Sequence, residues 1–519
     1  MFPSGDSALV LVANKAVLVR VNAITTNAQE AKPAGVLRVE TSTGQLVQQL
    51  ALTAPTGSLP SAVPAAPTST NAYSAVVPAN LVRTGLRLTA SLANGQPPTT
   101  VNPRVGGGVA MRLVAVPIQI AGTTGQVVSG PASYIQARAP LASVTLQVRA
   151  PYVPRGVTSL PTTEDEWDTA FGKVLSELSN LHMLEQASDE SYYYGFMPKR
   201  TYGLSGLGYR PGNAAVGFDL PSNPTAVRET LAHELGHNFS LPHAPCGGPA
   251  NPDPDYPYAN AQLGATGRYI WGYNFETSTF VDPRRTNIHD MMSYCDGDTF
   301  SDYNYRKIQV YLTPADRSVQ VASASGAVSV ASGPQELLLV SGQIAAGKAE
   351  FMPAKSLFGE PRLPQRGPYT LRIVTAQGVV EYPFATRELD HVASAQHFGF
   401  TIPHPGSIFS MSVVKDGQTL TQSEARRATA ASATTQTERA ASAGMQLQVS
   451  EQAGVLRLSW DHARYPYLTV THLGAQRSTL AQDLQGGSAA LPLGSLPAGG
   501  SYEFSLSDGL NTVRVTRAR

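Results

Sequence analysis

The sequence predicts a multidomain α+β protein in which one mixed segment with helices lies between modules built from strands. The chain has 519 residues, and because single hydrophobic cores stop growing at about 250 to 300 residues, we expect several domains. Short β-type runs separated by Pro, Gly and Asn fill both ends of the sequence, whereas helical periodicity is confined to its middle. These two observations define the fold class.

Residues 1–138 have the pattern of a β-sandwich, Ig-like module. Apolar runs such as Val17–Val21, Val36–Val39 and Leu113–Val116 are bounded by turn-forming residues, which is typical of short strands. Between them, residues 53–70 are rich in Pro, Ala, Ser and Thr, a composition that buries too little apolar area to offset the entropy of ordering. We expect this stretch to form a long surface loop.

Residues 139–314 change to a mixed α/β pattern. Val144–Val148 alternate as in a strand, and Thr163 with Glu166 forms a capping box ahead of an amphipathic helix. A second helix is expected over about Thr225–Phe239, because Pro224 is acceptable in a first turn. Two further strands are predicted at Tyr192–Phe196 and Ala214–Phe218. This segment is predicted to be a separate domain with a mixed sheet and at least two helices.

The remainder of the chain returns to β-type runs. Residues 315–420 are predicted to form another β-sandwich module, with strands near Leu337–Val340 and Tyr369–Val374. Residues 421–445 are a polar tract that is expected to be a linker, although its alanines also allow a helix. Residues 446–519 are expected to form a small C-terminal β-sandwich module.

The second helix carries the residues with chemical potential. His233 and His237 are four residues apart, about 40° around a helix axis, so both imidazoles project from one face. Glu234 lies beside them and is well placed to take a proton from a metal-held water. His243 follows after Pro242, which ends the helix where the chain must turn. The pattern predicts a three-histidine zinc site that leaves a fourth position for water, with Glu234 as general base.

The opposite face of this helix is apolar. Four residues form the stripe: Val227, Leu231, Leu235 and Phe239. We expect this face to pack into a core and so to turn the histidines toward a cleft.

The segment from His233 to His243 resembles the extended zinc signature of the metzincin endopeptidases, with all three histidines and the glutamate in place. The family signature carries glycine where Ser240 stands, at a point where the chain often leaves the helix through an unusual backbone conformation. Ser240 must tolerate or avoid that conformation. The resemblance implies that residues 139–314 form the metzincin-like catalytic domain of a zinc metalloendopeptidase, with a mixed sheet and the second helix as its active-site helix, and that this domain binds one catalytic Zn²⁺ ion.

Metzincins also have a methionine turn beneath the metal, and Asp290–Cys295 looks like it. Met292 is assigned to the turn because Tyr294 then occupies the position two residues later. In the metzincin groups that have tyrosine there, the phenol approaches the zinc or the tetrahedral intermediate, which implies that Tyr294 is an extra ligand or an oxyanion stabiliser. Because this turn would fold under the zinc site, we expect a disulfide between Cys246 and Cys295, in keeping with an oxidising compartment.

A closer resemblance is to the StcE-type bacterial metalloproteases, which are secreted and cut mucin-like O-glycoproteins. The shared features are the core His233–Asn238, the turn Asp290–Cys295 and the segment Ser301–Arg306, and the likeness covers residues 140–312. It implies a protein or glycoprotein substrate, with O-glycosylated, mucin-like proteins as the narrower expectation.

Charge and hydropathy exclude two classes of partner. Lys and Arg total 38 and Asp and Glu total 37, without a long run of like charge, so nucleic acid and anionic membrane are not expected partners. No run of 18 apolar residues occurs, so no transmembrane segment is predicted. The N-terminal residues lack the basic start and apolar run of a secretory signal. The resemblance to secreted enzymes implies a secreted or extracellular protein whose leader is absent from this chain, with a cell-surface or periplasmic location as the alternative.

Two other functions stay open at this stage. A non-catalytic adhesin that binds glycans or proteins could retain a metzincin frame, because β modules flank the zinc motif on both sides. A zinc amidase or esterase acting on small molecules is disfavoured, because metzincin clefts are open grooves suited to extended chains. Tyr192–Tyr194 could line a glycan-binding surface, but tyrosine is an ordinary strand residue and packing is the favoured interpretation.

Overall fold

The computed structural model describes residues 2, 6, 8–27, 29–199, 203–313, 333–389, 395–425, 436–494 and 496–519. It is mostly β, with 42% strand and 14% helix, which agrees with the multidomain α+β class. The chain divides into two compact units, and each is discontinuous in sequence. The first unit consists of Met1–Arg112, Gly130–Thr145 and Leu241–Arg317, and the second of Leu113–Ser129, Leu146–Ser240 and Ser318–Arg519. The consecutive domains expected from the sequence stay a prediction.

Short strands fill the N-terminal part of the first unit, as the sequence predicts. In chain order they are β1 (Val10–Val12), β2 (Val17–Val21), β3 (Gly35–Glu40), β4 (Leu46–Leu52), β5 (Tyr73–Val77), β6 (Arg87–Leu92), β7 (Thr99–Val101) and β8 (Arg104–Gly106). One antiparallel sheet has the order β4-β3-β6-β7, while β2 pairs with β5 and β1 pairs in parallel with β8. Residues 53–70, all of them described, hold no strand or helix, in agreement with the predicted loop.

The predicted elements of the central segment are present. The bounds of the second helix and of the strands predicted at 192–196 and 214–218 differ by one residue or less, whereas the strand predicted at Val144–Val148 begins three residues earlier, at Leu141. In chain order, the elements between residues 109 and 311 are β9 (Val109–Pro117), β10 (Gln119–Ile120), β11 (Thr123–Thr124), α1 (Pro131–Arg138), β12 (Leu141–Val148), α2 (Glu164–Leu184), β13 (Ser191–Met197), β14 (Gly206–Arg210), β15 (Ala214–Phe218), α3 (Pro224–Asn238), β16 (Gly272–Asn274), β17 (Thr279–Val281) and α4 (Asp302–Tyr311). Short 3-10 turns lie at Ala79–Leu81 and Ala259–Ala261.

Helix α2 begins at the predicted capping box. The Glu166 amide donates to Thr163 Oγ1 at 3.3 Å, and the Thr163 amide donates to Glu166 Oε2 at 3.2 Å, so two backbone donors at the helix start are satisfied. The buried side of α2 includes Phe171, Val174 and Leu178, each fully buried in one core with residues of β13, β14 and β15. This helix therefore provides the apolar layer behind the strands that support α3.

A ten-stranded sheet has the order β12-β9-β13-β15-β14-β23-β24-β18-β19, and β20 pairs with β18. The later strands are β18 (Gln335–Ala345), β19 (Lys348–Phe351), β20 (Lys355–Gly359), β21 (Tyr369–Thr375), β22 (Gly378–Phe384), β23 (Arg387–Leu389), β24 (Ala395–Pro403), β25 (Ile408–Lys415) and β26 (Gln418–Glu424). β14 joins β23 through the pairs Tyr209↔Leu389 and Arg210↔Glu388. Strands expected in a separate module thus extend the sheet that carries β14.

Two sequence assignments differ from the structure. Leu113–Val116, expected in the N-terminal sandwich, lies in β9 of the ten-stranded sheet, because a buried apolar run does not specify its partner strand. The tract 421–445, expected to be a linker with a helix as the alternative, holds the end of β26 and most of helix α5 (Gln436–Gln446). The helix packs against the last strands through Ala443, which is fully buried.

The C-terminal part of the second unit is β-structured. Its strands are β27 (Gln448–Gln452), β28 (Val455–Ser459), β29 (Tyr467–Leu473), β30 (Arg477–Leu484), β31 (Ser488–Pro492), β32 (Ser501–Ser507) and β33 (Thr512–Ala518). They form sheets of order β27-β28-β31 and β30-β29-β32-β33. Gln482 Nε2 donates to the Glu177 carbonyl at 2.9 Å and the Thr479 amide to Glu185 Oε1 at 2.8 Å, so β30 is bonded directly to α2 and its C-cap residue. Among the described residues, no helix is both long and apolar enough to cross a membrane.

Candidate metal centre

Helix α3 presents two of the predicted ligands and is anchored at both ends. It starts at Pro224, where the Asn223 side chain accepts from the Ala226 amide at 3.1 Å. The predicted stripe of Val227, Leu231, Leu235 and Phe239 is buried, with at most 1% exposure. The rings of His233 and His237 lie 4.9 Å apart between centroids. The apolar face therefore fixes the side on which both imidazoles project.

The last residue of α3 is bonded to the strands beneath it. Asn238 Nδ2 donates to the Tyr209 carbonyl at 2.9 Å and to the Ala214 carbonyl at 3.0 Å. Tyr209 belongs to β14, and Ala214 begins β15. Asn238 is completely buried, so both bonds lie in a low-dielectric environment where they hold geometry strongly. The sequence did not single out this residue, although it lies within the motif.

Ser240 lies at the point where the chain leaves α3. Its φ is 72°, in the left-handed region, and its amide donates to the His237 carbonyl at 2.8 Å. The serine therefore tolerates the conformation that favours glycine, at a cost of about 1 kcal/mol. The chain then turns toward Pro242 and His243.

The three predicted histidines come together in the segment His233–His243. One ring nitrogen from each of His233, His237 and His243 lies within 4.8 Å of the other two. His243 Nδ1 faces the Ala250 carbonyl at 3.4 Å, an arrangement that orients a metal-binding imidazole through its other nitrogen. A donor set of three imidazole nitrogens fits a zinc ion that keeps an open coordination position. In the described part of the chain, no other cluster of three His, Cys, Asp or Glu has this arrangement.

Glu234 follows His233 on the helix and is buried, with 2% exposure. Its carboxylate lies against β14, where Gly206 and Gly208 face it without side chains. On the same side, Tyr194 of β13 is fully buried. Burial, and to a smaller extent the charge of Glu234, raises the pKa of the Tyr194 phenol well above its usual range. Tyr192, Tyr193 and Tyr194 are all buried, so they pack within the core and do not form a glycan-binding surface.

The predicted methionine turn is connected to the segment after His243. The Ala244 amide donates to the Met292 carbonyl at 2.9 Å, and the Tyr294 amide donates to the Cys246 carbonyl at 3.0 Å. Met292 is fully buried, whereas Tyr294 is 37% exposed. The rings of His243 and Tyr294 meet edge to face, with centroids 4.7 Å apart.

The predicted disulfide between Cys246 and Cys295 is present, with 5.8 Å between the Cα atoms. It joins the same two chain segments as the hydrogen bonds of the turn. The turn is therefore held to the residues that follow His243 by a covalent bond as well as by its backbone.

Asp290 is a buried hub that the sequence analysis did not identify as a distinct feature. It is fully buried, and Oδ1 accepts from the Met292 amide at 2.8 Å and from Asn304 Nδ2 at 2.9 Å. Oδ2 accepts from the Ser301 amide at 2.7 Å and from Tyr256 Oη at 3.3 Å. Burial outweighs these bonds and raises the pKa of the Asp290 carboxyl. Asp290 therefore connects the methionine turn to the start of α4. The sequence analysis had named both Asp290–Cys295 and Ser301–Arg306 as parts of the resemblance, but it gave no sign that they are bonded to each other.

Comparisons with solved structures give only low similarity. The SafA pilin of Salmonella enterica in complex with the SafB chaperone is 13% identical with a TM-score of 0.14, and the match covers 39% of this chain and 99% of that chain. A BSP domain of a biofilm associated protein is 14% identical with a TM-score of 0.10, covering 32% and 27%. A β-glucuronidase of Parabacteroides merdae is 10% identical with a TM-score of 0.13, covering 98% and 76%. Scores this low support no argument.

The search of curated proteins found no match. The comparison with protein families does find one. Its matched segment runs from the residues before β14 through α3, the methionine turn and α4, and so contains every residue of the candidate metal centre. Residues 199–312 match the model of the Peptidase M66 family, a metallopeptidase family, and this match supports a peptidase function.

Proposed function

We propose that this chain is a secreted, zinc-dependent endopeptidase of the metzincin type that hydrolyses peptide bonds of extracellular proteins. One observation carries the proposal. The nitrogens of His233, His237 and His243 converge within 4.8 Å, next to the buried Glu234, inside a segment that matches a peptidase family. Neither a structural core nor a binding module requires three converging imidazoles beside a buried carboxylate.

The donor set favours zinc over other common ions. Nitrogen ligands suit zinc, whereas calcium and magnesium prefer oxygen ligands. His233, His237 and His243 would hold one ion. When bound there, zinc would supply Lewis-acid polarisation of the scissile carbonyl and would lower the pKa of a coordinated water toward about 7.

Glu234 is assigned the proton-transfer role. Its carboxylate would take the proton of the attacking water and then deliver it to the nitrogen of the leaving amine, so that one group serves as base and acid in turn. A position beside His233 on the same helix and 2% exposure suit this role, because a buried carboxylate does not exchange its proton freely with solvent.

Tyr294 is assigned the role of stabilising the oxyanion, with that of an additional ligand as the alternative. Its ring lies 4.7 Å from that of His243 and is 37% exposed, so the phenol is accessible to a bound substrate. A phenol donating to a developing negative charge would lower the barrier of the attack step.

The substrate class is proposed to be mucin-like O-glycoproteins. This rests on the resemblance to StcE-type enzymes, which the Peptidase M66 match supports at the level of a peptidase. A net charge of +1 would avoid strong repulsion of sialylated, anionic glycans. The Cys246–Cys295 disulfide suits secretion, since disulfides persist in oxidising compartments.

The experiment that tests the zinc-peptidase proposal combines metal content with cleavage. We expect the wild type to contain one zinc per chain, His243→Ala to lose it, and Glu234→Ala to retain zinc while losing proteolysis. Glu190→Ala, an exposed glutamate outside the site, serves as the control and should cleave like the wild type. Fresh protein without zinc, or a Glu234→Ala variant that cleaves normally, would contradict the proposal.

The same variants decide the substrate class. Mucin-type glycoproteins, the same proteins stripped of O-glycans, and casein are incubated with enzyme, and the new termini are mapped. Cleavage of casein and stripped substrates at the rate of the glycosylated ones would remove the mucin assignment but keep the peptidase. If glycoproteins bind equally to wild type and Glu234→Ala but no new terminus forms, the adhesin alternative is favoured.

A further inference from the structure

Strand β14 passes beneath α3 with no side chain at two alternate positions. Because side chains alternate between the faces of a strand, Gly206 and Gly208 share one face. Leu207, which lies between them, points to the other face of the strand and is buried in the core that it shares with α2. Neither glycine has a positive φ, so the backbone conformation does not require glycine. The requirement for glycine at these positions must therefore be steric.

Glu234 occupies the space that side chains would fill. A Cβ atom added to Gly206 would lie 2.4 Å from Glu234 Oε1 and 2.7 Å from its Cγ. A Cβ atom added to Gly208 would lie 2.9 Å from the Glu234 carbonyl oxygen and 3.1 Å from Oε2. Separations under 3.0 Å are ones that real Cβ atoms essentially never show. At Gly206 the obstacle is the carboxylate itself, whereas at Gly208 it is the helix backbone.

Helix α3 is not free to retreat from the strand. The Asn238 amide group is bonded to the Tyr209 and Ala214 carbonyls at 2.9 and 3.0 Å, and the Gly212 amide donates to the Asn238 carbonyl at 3.3 Å. These bonds hold the helix end one turn beyond Glu234. A side chain at position 206 would therefore displace the Glu234 carboxylate more readily than the helix.

We propose that Gly206 is a positioning residue for Glu234. Its vacant Cβ position lets the carboxylate lie directly against β14 and so restricts the directions in which the carboxylate can point. The inference rests on the proposed function, in which Glu234 transfers the proton. Catalysis is sensitive to such placement, because a displacement of about 1 Å in a reacting group can cost on the order of 100-fold in rate.

The chain contains a closely matched control position. Gly217 of β15 is the direct cross-strand partner of Gly206, so the two positions share a face and a register. A Cβ atom added to Gly217 would lie 1.9 Å from Tyr194 Oη and would meet that phenol instead of Glu234. An alanine at position 217 would thus crowd the same face of the sheet, but its nearest neighbours would be Tyr194 and Thr230 and not the Glu234 carboxylate.

The experiment uses the full chain and compares Gly206→Ala with Gly217→Ala, each alone and combined with Glu234→Ala or Tyr194→Phe. Zinc content, thermal midpoint, kcat and KM are measured. We expect Gly206→Ala to retain zinc, to lose on the order of 100-fold in kcat with KM unchanged, and to lower the midpoint by about 5 °C. Glu234→Ala should remove that thermal penalty, and Tyr194→Phe should not.

The pattern should reverse at position 217. The thermal penalty of Gly217→Ala should be reduced by Tyr194→Phe and left intact by Glu234→Ala, because the crowded atom is the phenol oxygen. If Gly206→Ala fails to fold, recovery of folding in Gly206→Ala/Glu234→Ala supports the inference. An equal penalty for Gly206→Ala with and without Glu234 would overturn it, as would an unchanged kcat. If the wild type cleaves no protein, the proposed function fails, while the thermal comparison still decides whether Gly206 makes room for Glu234.

Discussion

Replacement of Asp290 by asparagine should loosen the methionine turn. The four bonds to Asp290 divide evenly between its oxygens, with Met292 and Asn304 on Oδ1 and Ser301 and Tyr256 on Oδ2. An asparagine oxygen can accept one of these pairs, but its NH₂ group then faces the other pair of donors. Because Asp290 is fully buried, no solvent can replace the lost acceptor.

The magnitude follows from the bonds that are lost. The pair on Oδ1, at 2.8 and 2.9 Å, is the better placed one, so the asparagine oxygen should keep it. The bonds lost are then those to Oδ2, one short at 2.7 Å and one marginal at 3.3 Å, and a hydrogen bond to a charged group contributes about 1.5 to 3 kcal/mol. Burial raises the pKa of the Asp290 carboxyl, which means that its charge is costly in this environment. Replacing the charged group by a neutral amide therefore offsets part of this loss. We expect Asp290→Asn to reduce the free energy of unfolding by about 2 kcal/mol, and Asp290→Ala by about 4 kcal/mol because no acceptor remains.

The assay is thermal unfolding followed by calorimetry, with zinc content measured on the same samples. We expect the unfolding transition to shift by roughly 2 to 4 °C per kcal/mol and zinc affinity to fall, because the turn contacts Ala244 next to His243. Asp298→Asn, an exposed aspartate of the same loop, is the control. A stability of Asp290→Asn within about 0.5 kcal/mol of the wild type would refute the reasoning, since surface substitutions reach that size.

Three further predictions follow from buried or strained positions. Burial, aided by the charge of Arg387, lowers the pKa of His397 to about 4; stability present above pH 6.5 should therefore be lost as pH falls toward 4, by up to about 3 kcal/mol. In His397→Gln, the melting temperature should depend less on pH between about 6.5 and 4 than it does in the wild type. The same pH dependence in both proteins would argue against titration of His397 as the cause. Because the left-handed φ of residue 240 favours glycine and disfavours β-branched side chains, Ser240→Gly should raise the free energy of unfolding by about 0.5 kcal/mol and Ser240→Val should lower it by about 1 kcal/mol. Denaturant unfolding measures both values, and equal free energies for the two variants would contradict a left-handed conformation at residue 240. Replacing both Cys246 and Cys295 by serine should cost about 4 kcal/mol by the loop-entropy model, and a melting temperature equal to that of the wild type would exclude a stabilising disulfide.

Helix α3 was predictable from sequence because its signals are local. The cap at Asn223 with Pro224, the apolar stripe, and the spacing of His233 and His237 all act within a few turns of one helix. The bounds of α3 consequently differ from the prediction by one residue at each end. The disulfide was predicted from the position of the two cysteines relative to a recognised turn, and it is present.

Strand partners and module contacts were not predictable in the same way. The run Leu113–Val116 was recognised as a strand, but it pairs in the ten-stranded sheet and not in the N-terminal module. The extension of that sheet through β14 and β23, and the bonds from β30 to α2, join residues that are far apart in sequence. Apolar runs of similar length are interchangeable as partners, so their pairing depends on which long-range contacts bury the most surface.

The sequence by itself determined the histidines and the glutamate of the motif, the two main helices and the β-rich composition, because each depends on residue type and short-range spacing, whereas the cysteine pair was predicted from the resemblance to a known turn. Only the tertiary structure decided that Ser240 accepts a left-handed φ of 72°, that Asp290 gathers four donors, and that Gly206 leaves room for Glu234. These features arise where backbones distant in sequence approach within a few ångströms. Such distances cannot be predicted from sequence periodicity or residue propensity, because they depend on how whole helices and strands pack in a dense interior.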